Sequence, residues 1–137
     1  MNLSEIAALT QKYGDLLDSL LESKMLKFSS EDFRSVLPSH GGVYLISEKI
    51  NNALERVYIG QSKNIQTRIY RNHLRGSRRV STLKRKMIRT GMFPNEDEVE
   101  NYLREKCMIQ FLIIDDKFDR NSFEHFVIAV LRPNFND

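Results

Sequence analysis

The stretch "GGVYLISEKINNALERVYIGQ", residues 41 to 61, constrains the fold more than any other part of the chain. Two short apolar runs flank Asn51-Asn52, a turn signal, and predict strands over 42–47 and 55–60. Alternation puts Val43 and Leu45 on one face of the first strand, Tyr44 and Ile46 on the other. In the second strand Val57 and Ile59 share a face and Tyr58 takes the opposite one. A hairpin symmetric about Asn51 sets Tyr44 directly against Tyr58, with Cβ atoms about 4.5–5.5 Å apart and both phenols projecting from one face. Such a pair stabilises a sheet. A phenol also packs, donates a hydrogen bond or, with a lowered pKa, takes a proton.

The remaining periodicities are mostly helical. Leu3, Ile6, Leu9, Tyr13, Leu16, Leu17, Leu20, Leu21 and Met25 predict an amphipathic helix over 3–26, with Gly14 as a weak point. "SSEDFRSVLP" reads as a short helix ended by Pro38. A helix follows from about Asn64 to Arg75, closed by Gly76, and a second basic one runs from Ser81 to Gly91. Asn95 and Glu98 have capping-box spacing and open a third. "CMIQFLII" reads as a buried strand, and "NSFEHFVIAVLRP" as a final helix started at Asn121. These elements predict an α/β fold in which a small, mostly antiparallel three-stranded sheet is flanked by helices. The 137 residues divide into a helical N-terminal extension, 1–38, and a domain over 39–137.

Charge is distributed unevenly. From Arg56 to Asn95 there are eleven Lys or Arg residues and no Asp or Glu, leaving ten basic and eighteen acidic residues elsewhere. That distribution points to a polyanion partner, nucleic acid in preference to a membrane, because no strong apolar helix face accompanies the basic run. Lys63, Arg71, Arg75, Arg78, Arg79, Lys84 and Arg85 are the expected backbone contacts, and contacts of this kind position a duplex without reading its sequence. One cysteine, Cys107, excludes an internal disulfide and a multi-cysteine zinc site. With no secretion signal at the N-terminus, a cytoplasmic location is expected. The N-terminal helix offers a surface for a homodimer or a partner protein, or packs on its own domain.

In order along the chain, "GVY", "YIG", "NIQTR" with Arg68 ten residues after Tyr58, Glu124 on the last helix, and Asn136 in "RPNFN" resemble the GIY-YIG nuclease superfamily. The resemblance covers roughly residues 41 to 136. It implies a metal-dependent endonuclease acting on DNA in preference to RNA, with one Mg²⁺ or Mn²⁺ per active site held by Glu124. By the same resemblance Tyr44 or Tyr58 activates the attacking water. Tyr44 is the expected base, and Tyr58 positions the water or the phosphate. Arg68 presents a planar fork to a phosphate oxygen, and Asn136 positions Glu124 or a phosphate.

Two features leave alternatives open. The family commonly has a His or Tyr four residues after the arginine, where this chain has Asn72, with His73 next. On a regular helix Asn72 shares Arg68's face and His73 falls in the row of Ile65 and Ile69. Either Asn72 does a reduced job, or a local helix distortion brings His73 in. Glu124 lies in capping-box spacing with Asn121, which would make it a helix cap. The alternative to an enzyme is an inactive nucleic-acid-binding module, or an interaction subunit, using the same fold.

Overall fold

The structure, a computed structural model, describes residues 1–136. Its elements are α1 (Leu3–Glu22), β1 (Leu26–Lys27), α2 (Phe33–Val36), β2 (Gly42–Ile50), β3 (Ala53–Ser62), a π-helix (Thr67–Leu74), α3 (Thr82–Arg89), α4 (Glu96–Lys106), β4 (Cys107–Ile113) and α5 (Lys117–Leu131). The sheet is antiparallel throughout, in the order β1-β4-β2-β3. It has four strands where three were expected. The helix expected over 3–26 stops at Glu22, and Leu26 and Lys27 pair with Ile109 and Met108 instead. Gly14 does not interrupt α1.

Each face of the sheet carries its own core. Val43, Leu45 and Ile59 pack with Leu20 of α1 and with Phe123 and Val127 of α5. Tyr44, Ile46 and Tyr58 face the π-helix, α3 and α4, through Ile65, Ile69, Leu83, Met87 and Leu103. Tyr13 stacks on Phe123 and Phe126, with centroids 6.5 and 5.8 Å away, and the Gln110 amide donates to the carbonyls of Leu21 and Ser23. No helix among the described residues is long and apolar enough to cross a membrane.

The hairpin register differs from the symmetric one. Asn51 and Asn52 both have positive φ, 49° and 67°, and Ile50 pairs with Ala53 in a two-residue loop of the kind that matches strand twist. That turn alone would set Tyr44 opposite Ile59, with the two tyrosines on opposite faces. A bulge corrects the parity: Ser47 pairs with Arg56 but Ile46 pairs with Tyr58, so Val57 is extra. Tyr44 therefore opposes Gly60, not Tyr58, and the phenols meet diagonally with ring centroids 6.3 Å apart. The bulge also turns Val57 into the core on the tyrosine face, away from Ile59.

The glycine of "YIG" follows from this register. A Cβ on Gly60 would collide with the hydroxyl and Cζ of Tyr44, so only glycine lets the phenol lie across the strand.

Candidate active site

Tyr44 is 1% exposed, and its hydroxyl lies 2.7 Å from His73 Nε2. The helix that carries His73 decides this contact. Residues 67–74 wind as a π-helix, seen in the bond from the Arg75 amide to the Tyr70 carbonyl at 3.0 Å. Its i→i+5 closure brings the residue five positions after Arg68, His73, round to the tyrosine pair. Asn72, half-buried, lines a surface cavity beside Arg68 instead. Of the two expected alternatives, the distortion is the one that occurs.

His73 is fully buried, and its other nitrogen, Nδ1, lies 2.7 Å from Ser81 Oγ. Ser81 caps α3, accepting the Lys84 amide at 3.0 Å. The neutral imidazole thus bridges Ser81 and Tyr44, donating from one ring nitrogen and accepting at the other. Tyr58 directs its own hydroxyl to Thr82 Oγ1 at 3.0 Å, and Lys86 Nζ sits 5.7 Å from its ring centre. Both phenols are thus fixed by the first turn of α3, whose Ser-Thr pair the sequence marks only as a helix start.

Burial, with Arg68 and Lys84 adding, lowers the His73 imidazole from 6.5 to about 3. The unfolded chain gains this proton below 6.5 and the native protein does not until about 3. His73 therefore contributes stability that is present near neutrality and lost as pH falls through that window, bounded by about 5 kcal/mol. The urea midpoint is expected to drop steadily from about pH 7 to about pH 4. In His73→Gln that slope should flatten, and an equal slope would show that His73 does not set it.

Glu124 lies well inside α5, because the helix begins at Lys117 with Asp116, not Asn121, as its cap. It is half-buried, and its place inside the helix is not the cap. Burial raises its carboxyl pKa, against the opposing effects of His125, the Gln61 amide, Lys86 and Arg68. Burial likewise holds the Tyr44 phenol well above its ordinary range; Tyr58 adds, Arg68 opposes and Glu124 adds less. Tyr44, Arg68 and Glu124 are therefore within electrostatic reach of one another. Among the described residues no three His, Cys, Asp or Glu side chains cluster to hold a metal. A lone, partly desolvated carboxylate nevertheless suits Mg²⁺, which keeps several waters and takes one or two carboxylates plus substrate oxygens.

Asn136 bonds to the backbone of β3. Its carboxamide accepts the Ile59 amide at 2.8 Å and donates to the Ile59 carbonyl at 2.9 Å, while the amides of Asn134 and Phe135 bond to the carbonyls of Arg56 and Val57. The tail so closes the outer edge of β3 and steadies the residue before Gly60.

The basic run is less free than it reads along the chain. Lys84 is 1% exposed, and its ammonium donates to the Leu74 and Gly76 carbonyls at 2.7 and 2.6 Å, capping the π-helix and not facing solvent. Arg75 pairs with Glu100 at 3.0 Å and Arg78 with Glu96 at 2.9 Å, both acids supplied by α4. Arg85 donates to the Arg78 carbonyl. Lys63, Arg71 and Arg79 are exposed.

A family model described as the GIY-YIG catalytic domain matches residues 40–136. Among solved structures, the chain is similar to the GIY-YIG N-terminal endonuclease domain of UvrC from Thermotoga maritima bound to its catalytic divalent cation, magnesium. The two are 20% identical, covering 79% of this chain and 99% of that one, with a TM-score of 0.49. A point mutant of the same domain, bound to its catalytic divalent cation, is 19% identical over 79% of this chain and 98% of that one, with a TM-score of 0.50. At this identity the second likeness concerns the fold alone. No curated protein matches the chain.

Proposed function

The chain belongs to the GIY-YIG catalytic-domain family, and from that premise we propose that it hydrolyses phosphodiester bonds of DNA with one divalent cation, Mg²⁺ or Mn²⁺, held at Glu124. The observation that carries this reading is the contact of the buried Tyr44 hydroxyl with His73 on the π-helix that also carries Arg68. Phosphodiester hydrolysis needs a base for the attacking water and positive charge for the developing phosphoryl oxyanion. Arg68 supplies fixed charge in a bidentate fork. When bound, the cation supplies further charge on the phosphoryl oxygens and acidifies the groups around it.

Tyr44 is the base in this reading: it enters the step as the phenolate, its own proton already released to solvent, and takes one proton from the attacking water. The phenolate accepts from His73 Nε2–H and so keeps a hydrogen bond. His73 is a positioning residue that stays neutral, and Ser81 bonds to its other nitrogen. Tyr58, tied to Thr82, orients the water or the phosphate. Lys63, Arg71 and Arg79 contact the backbone. Preference for DNA over RNA belongs to the same proposal, as does cytoplasmic action, for which the buried, unpaired Cys107 is the support.

Supercoiled plasmid incubated with the protein and Mg²⁺ or Mn²⁺ should be nicked or linearised, and Glu124→Ala should leave it intact. Tight binding without cleavage under both metals would make the chain an inert nucleic-acid-binding module.

A further inference from the structure

Beside the reaction centre lies a cavity of about 580 Å³ lined by Lys63, Asn64, Arg68, Asn72, Lys117 and Arg120, among others, and no residue lining it is acidic. Four cations around one opening, with no carboxylate among them, form an anion site. The acids at the start of α5 are turned to other work: Asp116 caps the helix and Asp119 pairs with Lys12.

Arg120 is the part that is built in. It is 6% exposed, with Nε on Gln61 Oε1 at 3.2 Å and Nη1 on the carbonyls of Asp115 and Ile114 at 2.6 and 3.4 Å. Its remaining nitrogen, Nη2, has no protein partner among the described residues. Gly41 makes room for it, since a Cβ there would stand 2.6 Å from Nη1. A buried guanidinium, locked by three acceptors and lining a polar cavity with one donor edge unused, is an arrangement that asks for an anion.

We propose that this cavity seats a second phosphate of the cut strand, the one adjacent to the scissile phosphate, with Lys117 and Arg120 as its ligands and Arg68 shared between the two positions. The inference rests on the endonuclease reading above, because Arg68 borders both sites. It gives α5 two tasks on one face, four residues apart: Arg120 toward the neighbouring phosphate and Glu124 toward the reaction centre. Strand register is then set by two consecutive phosphates, with no base contact required.

The test uses Glu124→Gln, expected to bind duplex and not cut it, with and without Lys117→Met, at an exposed position. Between about 50 and 200 mM salt, Lys117→Met should reduce the slope of log K against log salt by about 0.9 and weaken binding at the low end. Lys63→Met, a general backbone contact in the reading above, serves as the comparison: it should lower the slope likewise. A duplex with one neutral methylphosphonate next to the mapped cut should weaken Glu124→Gln binding. It should have little further effect once Lys117 is also replaced, the coupling expected of a direct contact. Absence of that coupling at Lys117, whether or not the slope falls, overturns the subsite and leaves the endonuclease reading standing. Binding of inorganic phosphate to the cavity without that coupling assigns it to a free anion and also overturns the proposal. Failure of every duplex to bind would defeat both readings together.

Discussion

Arg68→Ala is expected to slow plasmid cleavage by about 10²–10³-fold, or about 2.7–4 kcal/mol of transition-state stabilisation, the cost of removing one preorganised donor from developing charge. The protein should remain folded, because the guanidinium carries no structural ion pair among the described residues and Arg68, half-buried, lines the surface cavity. Its removal even relieves a charge that disfavours protonation of His73. Arg68→Lys should recover only part of the rate, since an ammonium keeps the charge but loses the planar fork. Single-turnover cleavage with saturating Mg²⁺, beside a thermal melt, separates the two effects. Cleavage within a few-fold of wild type in a folded Arg68→Ala protein would remove this residue from the mechanism.

Tyr44→Phe should lose about 10²–10⁴-fold in single-turnover rate, the usual contribution of a positioned general base. Tyr58→Phe should lose much less, because it forfeits a hydrogen bond to Thr82 and not the group that takes the proton. The substitution at Tyr44 has a second consequence. It leaves the buried Nε2 of His73 without its hydrogen-bond partner, which costs about 1–3 kcal/mol of stability. Rates are therefore compared well below the melting temperature of the weaker variant. A larger loss in Tyr58→Phe, or equal losses in both, would move the base to Tyr58.

Much of this site could be read along the chain. The alternation around Asn51-Asn52 located both strands, Ser81 and Asn95 opened their helices as capping residues, and the order of Tyr44, Tyr58, Arg68 and Glu124 named the family. Each of these is a local pattern, carried by side chains a few residues apart. The shift at the start of α5 was legible in part, since Asp116 is also a capping residue type, but "NSFE" offered a competing start that local pattern alone does not rank below it.

What the sequence by itself determined is the inventory: two tyrosines on neighbouring strands, a basic helix with an arginine, a carboxylate on the last helix. The tertiary structure decided how these meet. Whether Tyr44 and Tyr58 share a face depended on one extra residue, Val57, and a one-residue change of register reverses every side chain beyond it. Whether Asn72 or His73 reached Tyr44 depended on five-residue rather than four-residue helix closure, which was settled where His73 could bond to Tyr44 and Ser81 at once. How much of the basic run was left for a partner depended on Glu96 and Glu100, which lie outside that run and return to it only when α4 packs. Periodicity reports the face a residue presents within its own element. Register, helix closure and charge pairing are fixed by contacts between segments distant along the chain, whose energies no local window contains.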